Sequence, residues 1–233
     1  MKESTLPIVR ITLAGVLALF VTSASAQIIT QPVGLTHGEK YRLIFVTDGT
    51  TNAESGVIST YNTFVTNQAD TAKALVALDT TWSAIASVGF LSAIDNTGTG
   101  GTGFPIYGLN GSLIAASYSQ LWSGSLASGS LASVPAITES GKVVTPPRGV
   151  WTGTLPSGAS SDGHTMGDLS PVSGFAPGPT NSEWVDSEDT RRNTTQLSMY
   201  AISGVLTAAP EPGSAALLLT GLLALAARRR RSA

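Results

Sequence analysis

KYRLIFVT, residues 40–47, is the stretch whose reading sets the class of fold. Side chains alternate along a strand, so Tyr41, Leu43 and Phe45 fall on one face and Arg42, Ile44 and Val46 on the other. Apolar residues on both faces predict a strand in the interior of a sheet. Asp48-Gly49 ends it as a turn.

Outward from this strand, Ile58, Tyr61, Phe64, Val65, Ala69, Ala72, Leu75 and Val76 recur at three and four, the period of a helix with one buried face. The spacing predicts one amphipathic helix over 59–78 with Ser59 as its N-cap. Trp82–Val88 (WSAIASV) reads as a second strand, and NTGTGGTG at 96–103 as a loop. That loop is not a phosphate cradle, because no Lys-Ser/Thr pair follows it and no helix opens behind it. Asn110-Gly111, between Pro105-Ile106-Tyr107 and Leu113-Ile114-Ala115, is a hairpin signal. Glu139-Ser140-Gly141 marks a further turn, and Pro146-Pro147 stiffens the approach to Val150-Trp151-Thr152-Gly153-Thr154. Residues 155–180 are rich in Gly, Ser, Pro and Asp and read as a long loop, with Met166, Leu169, Val172 and Phe175 to anchor it. LSMYAISGVL at 197–206 reads as the closing strand.

The two ends have a different composition. Lys2 and Arg10 precede the apolar run Ile11–Val21, and Ala24-Ser25-Ala26 supplies small side chains for a peptidase pocket. Residues 1–26 therefore read as a secretory signal peptide cut after Ala26, leaving Gln27 as the new N-terminus. At the other end, Pro210-Glu211-Pro212 is followed by the uncharged run Gly213–Ala227 and then Arg228-Arg229-Arg230-Arg231. Each CH₂ of such a run gains about 0.8 kcal/mol on leaving water, whereas guanidinium groups stay out of hydrocarbon. The run is shorter than the roughly 20 residues of a permanent spanning helix, which suits a segment parked in a membrane and then cut.

Residues 27–207 remain as one exported domain, with 208–233 as the tail. Between Gln27 and Ala209 there are seven basic and thirteen acidic residues. This balance opposes binding to nucleic acid by bulk charge. The chain has no cysteine, so disulfides, thiolate metal sites and cysteine nucleophiles are excluded from it.

The order of motif, apolar run and arginines resembles the PEP-CTERM sorting signal of Gram-negative bacteria. The resemblance implies recognition by an exosortase, a membrane cysteine protease-transpeptidase. Cleavage near the motif would follow a transient inner-membrane stage and lead to the outer envelope or extracellular matrix. The alternative is a simple tail anchor.

A second resemblance spans roughly Tyr41 to Val205. An opening strand, a helix, the Asn110-Gly111 hairpin, Glu139-Ser140-Gly141, the VWTGT strand at 150–154, a glycine-rich loop, Trp184 and Met199-Tyr200-Ala201-Ile202 follow one another. This order is similar to that of bacterial surface domains related to the C-type lectin and endostatin folds. It implies an α+β fold, a C-type-lectin-like small antiparallel sheet with a flanking helix and long loops; an antiparallel β-sandwich is the alternative. Such lectins bind calcium and sugar through a Glu/Asn/Asp set near a Trp. Here Asp162, Asp168, Glu183, Trp184 and Asp186 make the nearest set, although Glu183-Trp184-Val185-Asp186 lacks the usual Asn and no Glu-Pro-Asn occurs. Two readings of these residues stand: a calcium or ligand loop, or a solvated acidic loop with Trp184 in the core.

The chain contains two histidines, His37 and His164, and no G-x-S-x-G elbow. Trp82, Trp122, Trp151 and Trp184 form either a sugar platform or part of the core. The expected function is that of a non-catalytic surface or matrix protein associated with biofilm exopolysaccharide. It needs no cofactor beyond a possible calcium ion, and its processing partners are signal peptidase and exosortase. The alternative is a secreted hydrolase acting on matrix polymers, with His164 beside Asp162 or Asp168 and a serine.

Overall fold

The computed structural model describes residues 27–98, 103–122, 134–178 and 181–210. The signal-peptide residues, including Ala24 and Ala26, and the tail from Glu211 through Arg228–Arg231 lie outside the described residues.

The expected central strand is present as β1 (Lys40–Val46), whose side chains from Tyr41 onward are all buried. It pairs in parallel with β3 (Ile106–Gly108) on one edge and antiparallel with β8 (Ser198–Ser203) on the other. β8 is equally central. Its outer edge is shared by β2 (Trp82–Ala84), antiparallel along 201–203, and by β5 (Arg148–Trp151), parallel along 198–199. The order continues from β5 to β6 (Val172–Ala176) and β7 (Asp189–Thr190), and from β3 to β4 (Leu113–Ala115); β9 (Leu206–Thr207) returns to β1. Among the described residues the fold is α+β, one open, mixed sheet of nine strands with few helices.

The sheet therefore differs from the antiparallel one expected, and the nine strands form one sheet rather than the two layers of a sandwich. The parallel pairs arise from the connections. A parallel neighbour needs a crossover of a dozen or more residues. The helical stretch after β1 supplies one such crossover, and the irregular chain between β5 and β8 supplies the other.

Alternation along β1 and β8 divides the core in two. Tyr41, Leu43 and Phe45 join Tyr61, Val65, Trp82, Trp151, Met199 and Ala201 on one side. Ile44 and Val46 join Ile106, Leu121, Trp122, Val150, Trp184, Tyr200 and Ile202 on the other. Apolar positions on both faces of KYRLIFVT thus serve two separate cores.

Other expectations change as well. The single helix over 59–78 is two, α1 (Ile58–Ala69) and α2 (Lys73–Val76). The Thr71 hydroxyl and amide both donate to the Gln68 carbonyl, at 2.7 and 3.1 Å, in competition with continued helical bonding. Ser59 lies inside α1, whose N-cap position is Val57, and Ser55 Oγ accepts the Val57 N–H at 3.2 Å. The second strand stops at Ala84 instead of Val88, because the Ser87 amide leaves the β8 edge and donates to Thr152 O at 2.9 Å. The loop expected at 96–103 begins as helix α3 (Ala93–Thr97), capped by Ser92, which accepts the Asp95 N–H at 3.2 Å. A further short helix, α4 (Tyr118–Leu121), precedes Trp122. The Asn110-Gly111 hairpin is found between β3 and β4, with Gly111 at φ 77°.

The long loop expected over 155–180 contains a strand, β6. Its Gly174 is what disguised it. A Cβ on Gly174 would lie 2.0 Å from the Trp184 carbonyl oxygen, so the residue that reads as a loop former permits close backbone approach inside the sheet.

Candidate functional site

Two loops meet beside the irregular chain that follows β5. In the first, Val88 and Leu91 exchange backbone hydrogen bonds of 3.0 Å in both directions, which closes a tight turn around Gly89 and Phe90. Gly89 takes φ 52°, a conformation that disfavours any side chain. The turn holds Phe90 out into solvent, 106% exposed. The second loop, residues 160–168, is tied to the first: Met166 N donates to Ser87 O at 2.9 Å and Gly89 N to Thr165 Oγ1 at 3.0 Å. Within it, Asp168 Oδ2 accepts from the Thr165 amide at 2.7 Å and its hydroxyl at 2.8 Å, which sets the loop's curvature.

Between the loops lies an open cavity of about 530 Å³, lined by Gly89, Phe90, Ser160, Asp162, Gly163, Thr165 and Asp168. It presents two carboxylates, and no Lys, Arg or His is among these lining residues. Ser160 Oγ is closed off from solvent and has no hydrogen-bond partner among the described residues. A second cavity, about 440 Å³, lies beyond the same loop against Leu169, Ser170, Arg192, Asn193 and Thr194, with Leu169 83% exposed.

Of the ligand residues expected from the sequence, Asp162 and Asp168 share the first cavity and the other three do not line it. Glu183 Oε1 accepts from Asn181 Nδ2 at 2.8 Å on the 3-10 turn Ser182–Trp184, and Asp186 Oδ1 accepts the Glu188 N–H at 2.9 Å. Trp184 is a core residue, 1% exposed, its ring 6.1 Å from that of Trp122 and 5.3 Å from that of Tyr200. Of the two readings of these residues, Trp184 in the core is the one that its burial matches. All four tryptophans are buried, so they form no sugar platform. Among the described residues no three His, Cys, Asp or Glu side chains come together as a metal site. His164 Nδ1 lies 2.8 Å from the Ser170 carbonyl oxygen, so this hydrogen bond engages the backbone instead of a serine hydroxyl or a carboxylate.

The sequence reading missed Phe90, whose signal is an aromatic residue placed directly after glycine at the tip of a four-residue turn. It also missed a charge network at the end of β1. Glu139, buried to 3% exposure, accepts the Asp48 amide through both carboxylate oxygens, at 3.1 and 2.9 Å. Arg148 Nη2 donates to Thr47 O at 2.9 Å, and Lys142 pairs with Asp48 at 2.5 Å.

Burial raises the Glu139 pKa above the ordinary carboxylate value, against the opposing pull of the Asp48 N–H and Arg148. Hydrogen bonding to Lys142 lowers that of Asp48. Glu139 thus favours the folded state most when protonated, and its contribution is lost as pH rises from the ordinary carboxylate value through its raised folded pKa. Glu139→Gln should match the wild-type melting temperature near pH 4 and exceed it near pH 7, values bracketing an ordinary carboxylate titration. Thermal melts across that range check this, and a variant less stable at the upper end would contradict it.

The folded chain closes on itself where its two ends meet. Ala209 N donates to Gln31 Oε1 at 2.9 Å, and Gln31 Nε2 donates to Ala209 O at 3.1 Å. Ile29 N donates to Leu109 O at 2.8 Å. Pro210, the first residue of the expected sorting motif, follows directly. Among the described residues no helix is long and apolar enough to cross a membrane. No protein-family model matches the chain, and no curated protein matches it significantly.

Proposed function

We propose that the chain is an exported, non-catalytic protein of a bacterial surface or extracellular matrix, sorted by an exosortase and associated with exopolysaccharide. The observation that carries this reading is the succession, in the sequence, of Pro210-Glu211-Pro212, the apolar run Gly213–Ala227 and Arg228–Arg231, directly after the folded domain. The reciprocal Gln31–Ala209 bonds support it: cutting after Ala26 and near Pro210 would leave every strand of the sheet intact.

A lectin-like character for the domain is the finer part of the reading. It is supported by the pairing of the first long strand with β8 at the sheet centre, and by the irregular chain between β5 and β8.

Replacing Glu211, or all four of Arg228–Arg231, by alanine should trap essentially all of the protein in the inner membrane with its C-terminus uncut. Fractionation and C-terminal mass measurement check this. Surface delivery of the four-alanine variant at the wild-type level would contradict sorting by this tail.

A further inference from the structure

We propose that the cavity rimmed by Phe90 binds a neutral polysaccharide chain, with the Phe90 ring stacked on a pyranose face and the Asp162 and Asp168 oxygens bonded to sugar hydroxyls. This assigns a place to the polysaccharide association proposed above, and it stands independently of the sorting route.

Four observations carry it. Phe90 is the one aromatic residue in the exposed class among the described residues, and a turn closed by two backbone bonds holds it. The turn places the ring in water, and covering its face removes apolar surface from solvent. The C–H face of a pyranose is flat enough to do so. The neighbouring polar groups are suited to hydroxyl partners. Asp162 makes no hydrogen bond or ion pair among the described residues, and Asp168 uses only Oδ2 on Thr165, so carboxylate oxygens remain to accept from O–H donors.

The charge selects the ligand class. The cavity lining holds two carboxylates and no cationic side chain, and a uronic-acid chain would meet repulsion there with no counter-charge. The volume, about 530 Å³, lies within the range of roughly 300–1,000 Å³ usual for small-molecule sites. It would hold a short stretch of a longer chain.

The test uses the full-length protein in a detergent without a sugar headgroup. Titration calorimetry is run with cellohexaose and mannohexaose as neutral probes and with mannuronate hexamer as the acidic one. The expected result is binding of at least one neutral probe and none of the acidic one, with or without EDTA. Phe90→Ala should weaken that binding by about tenfold, as expected for loss of a central aromatic contact. Asp162→Asn should weaken it by a smaller factor. Leu169→Ala, an exposed position outside this cavity, should leave it unchanged.

The proposal is overturned if neither neutral probe binds, if Phe90→Ala binds as wild type does, or if EDTA abolishes binding. It is also overturned if Phe90→Ala removes self-association in sedimentation while sparing sugar binding, which would make Phe90 a protein contact. None of these outcomes touches the tail, whose processing is read separately by mass.

Discussion

Trp151→Ala should remove about 3–5 kcal/mol of folding stability, the range for deleting a large buried aromatic side chain. Trp151 is fully buried within the core that gathers Phe45, Tyr61, Trp82, Met166 and Met199. Its indole N–H also donates to two carbonyls, Thr51 O at 3.1 Å and Thr195 O at 3.2 Å, which draws two loop segments onto the sheet. The substitution therefore opens a cavity and removes a donor shared by both loop segments, although Thr51 O keeps the Leu197 N–H at 3.0 Å. Against a total of about 5–15 kcal/mol for an ordinary domain, the loss is a large fraction. Denaturant unfolding followed by circular dichroism measures it. Trp151→Phe should fall between the two, since it restores most of the volume and none of the hydrogen bonds. A loss below about 1 kcal/mol for the alanine variant would contradict a fully packed ring at this position.

Arg42→Ala should cost about 1.5–3 kcal/mol, the range for losing hydrogen bonds made by a charged group. Arg42 is 2% exposed on the central strand, and burial lowers its pKa. Nε donates to Ser203 O and Nη1 to Thr97 O, both at 2.7 Å, and the guanidinium carbon stands 5.5 Å from the Tyr118 ring centre. One side chain thus joins β1, β8, α3 and α4. Among the described residues it has no ion-pair partner, so carbonyl dipoles and the ring face alone offset its desolvation. Arg42→Lys should recover only part of the loss, because a single ammonium does not reproduce the guanidinium fork. Arg42→Met separates volume from bonding: wild-type stability in that variant would show that the two carbonyl bonds contribute nothing net.

These two residues show how far the sequence could be read. KYRLIFVT gave its burial directly, since alternation with apolar residues on both faces has few other meanings. It did not show that Arg42 is inside, because an arginine in a strand ordinarily marks a wet face. Asn110-Gly111 declared its hairpin through the positive φ that the turn needs. β6 was hidden because Gly174 signals a loop by composition, while its function is to let the Trp184 backbone pass close by. Strand direction was hidden for another reason: a strand's own residues do not encode whether its neighbour runs parallel, which depends on connections thirty or more residues long.

The candidate site was half legible. Asp162 and Asp168 stood out as carboxylates in a glycine-rich loop, and the fold brings both to one cavity. Glu183 and Asp186 stood out by the same criterion but occupy a different turn. Proximity along the chain was no guide, because the partner of Asp162 and Asp168 is Phe90, some seventy residues earlier, joined to them only by the Gly89–Thr165 and Ser87–Met166 bonds. The tryptophans drew attention for their size, yet large rings are the residues a core most readily takes.

The central claim, export followed by sorting and release, is tested most directly by the intact mass of the protein recovered from envelope and matrix. The comparison is between a host that has an exosortase and the same host without it. The account predicts a chain beginning at Gln27 and ending near Pro210 in the first host, and a C-terminus carrying Arg228–Arg231 in the second. An uncut C-terminus in both hosts would contradict it and make the chain a tail-anchored membrane protein.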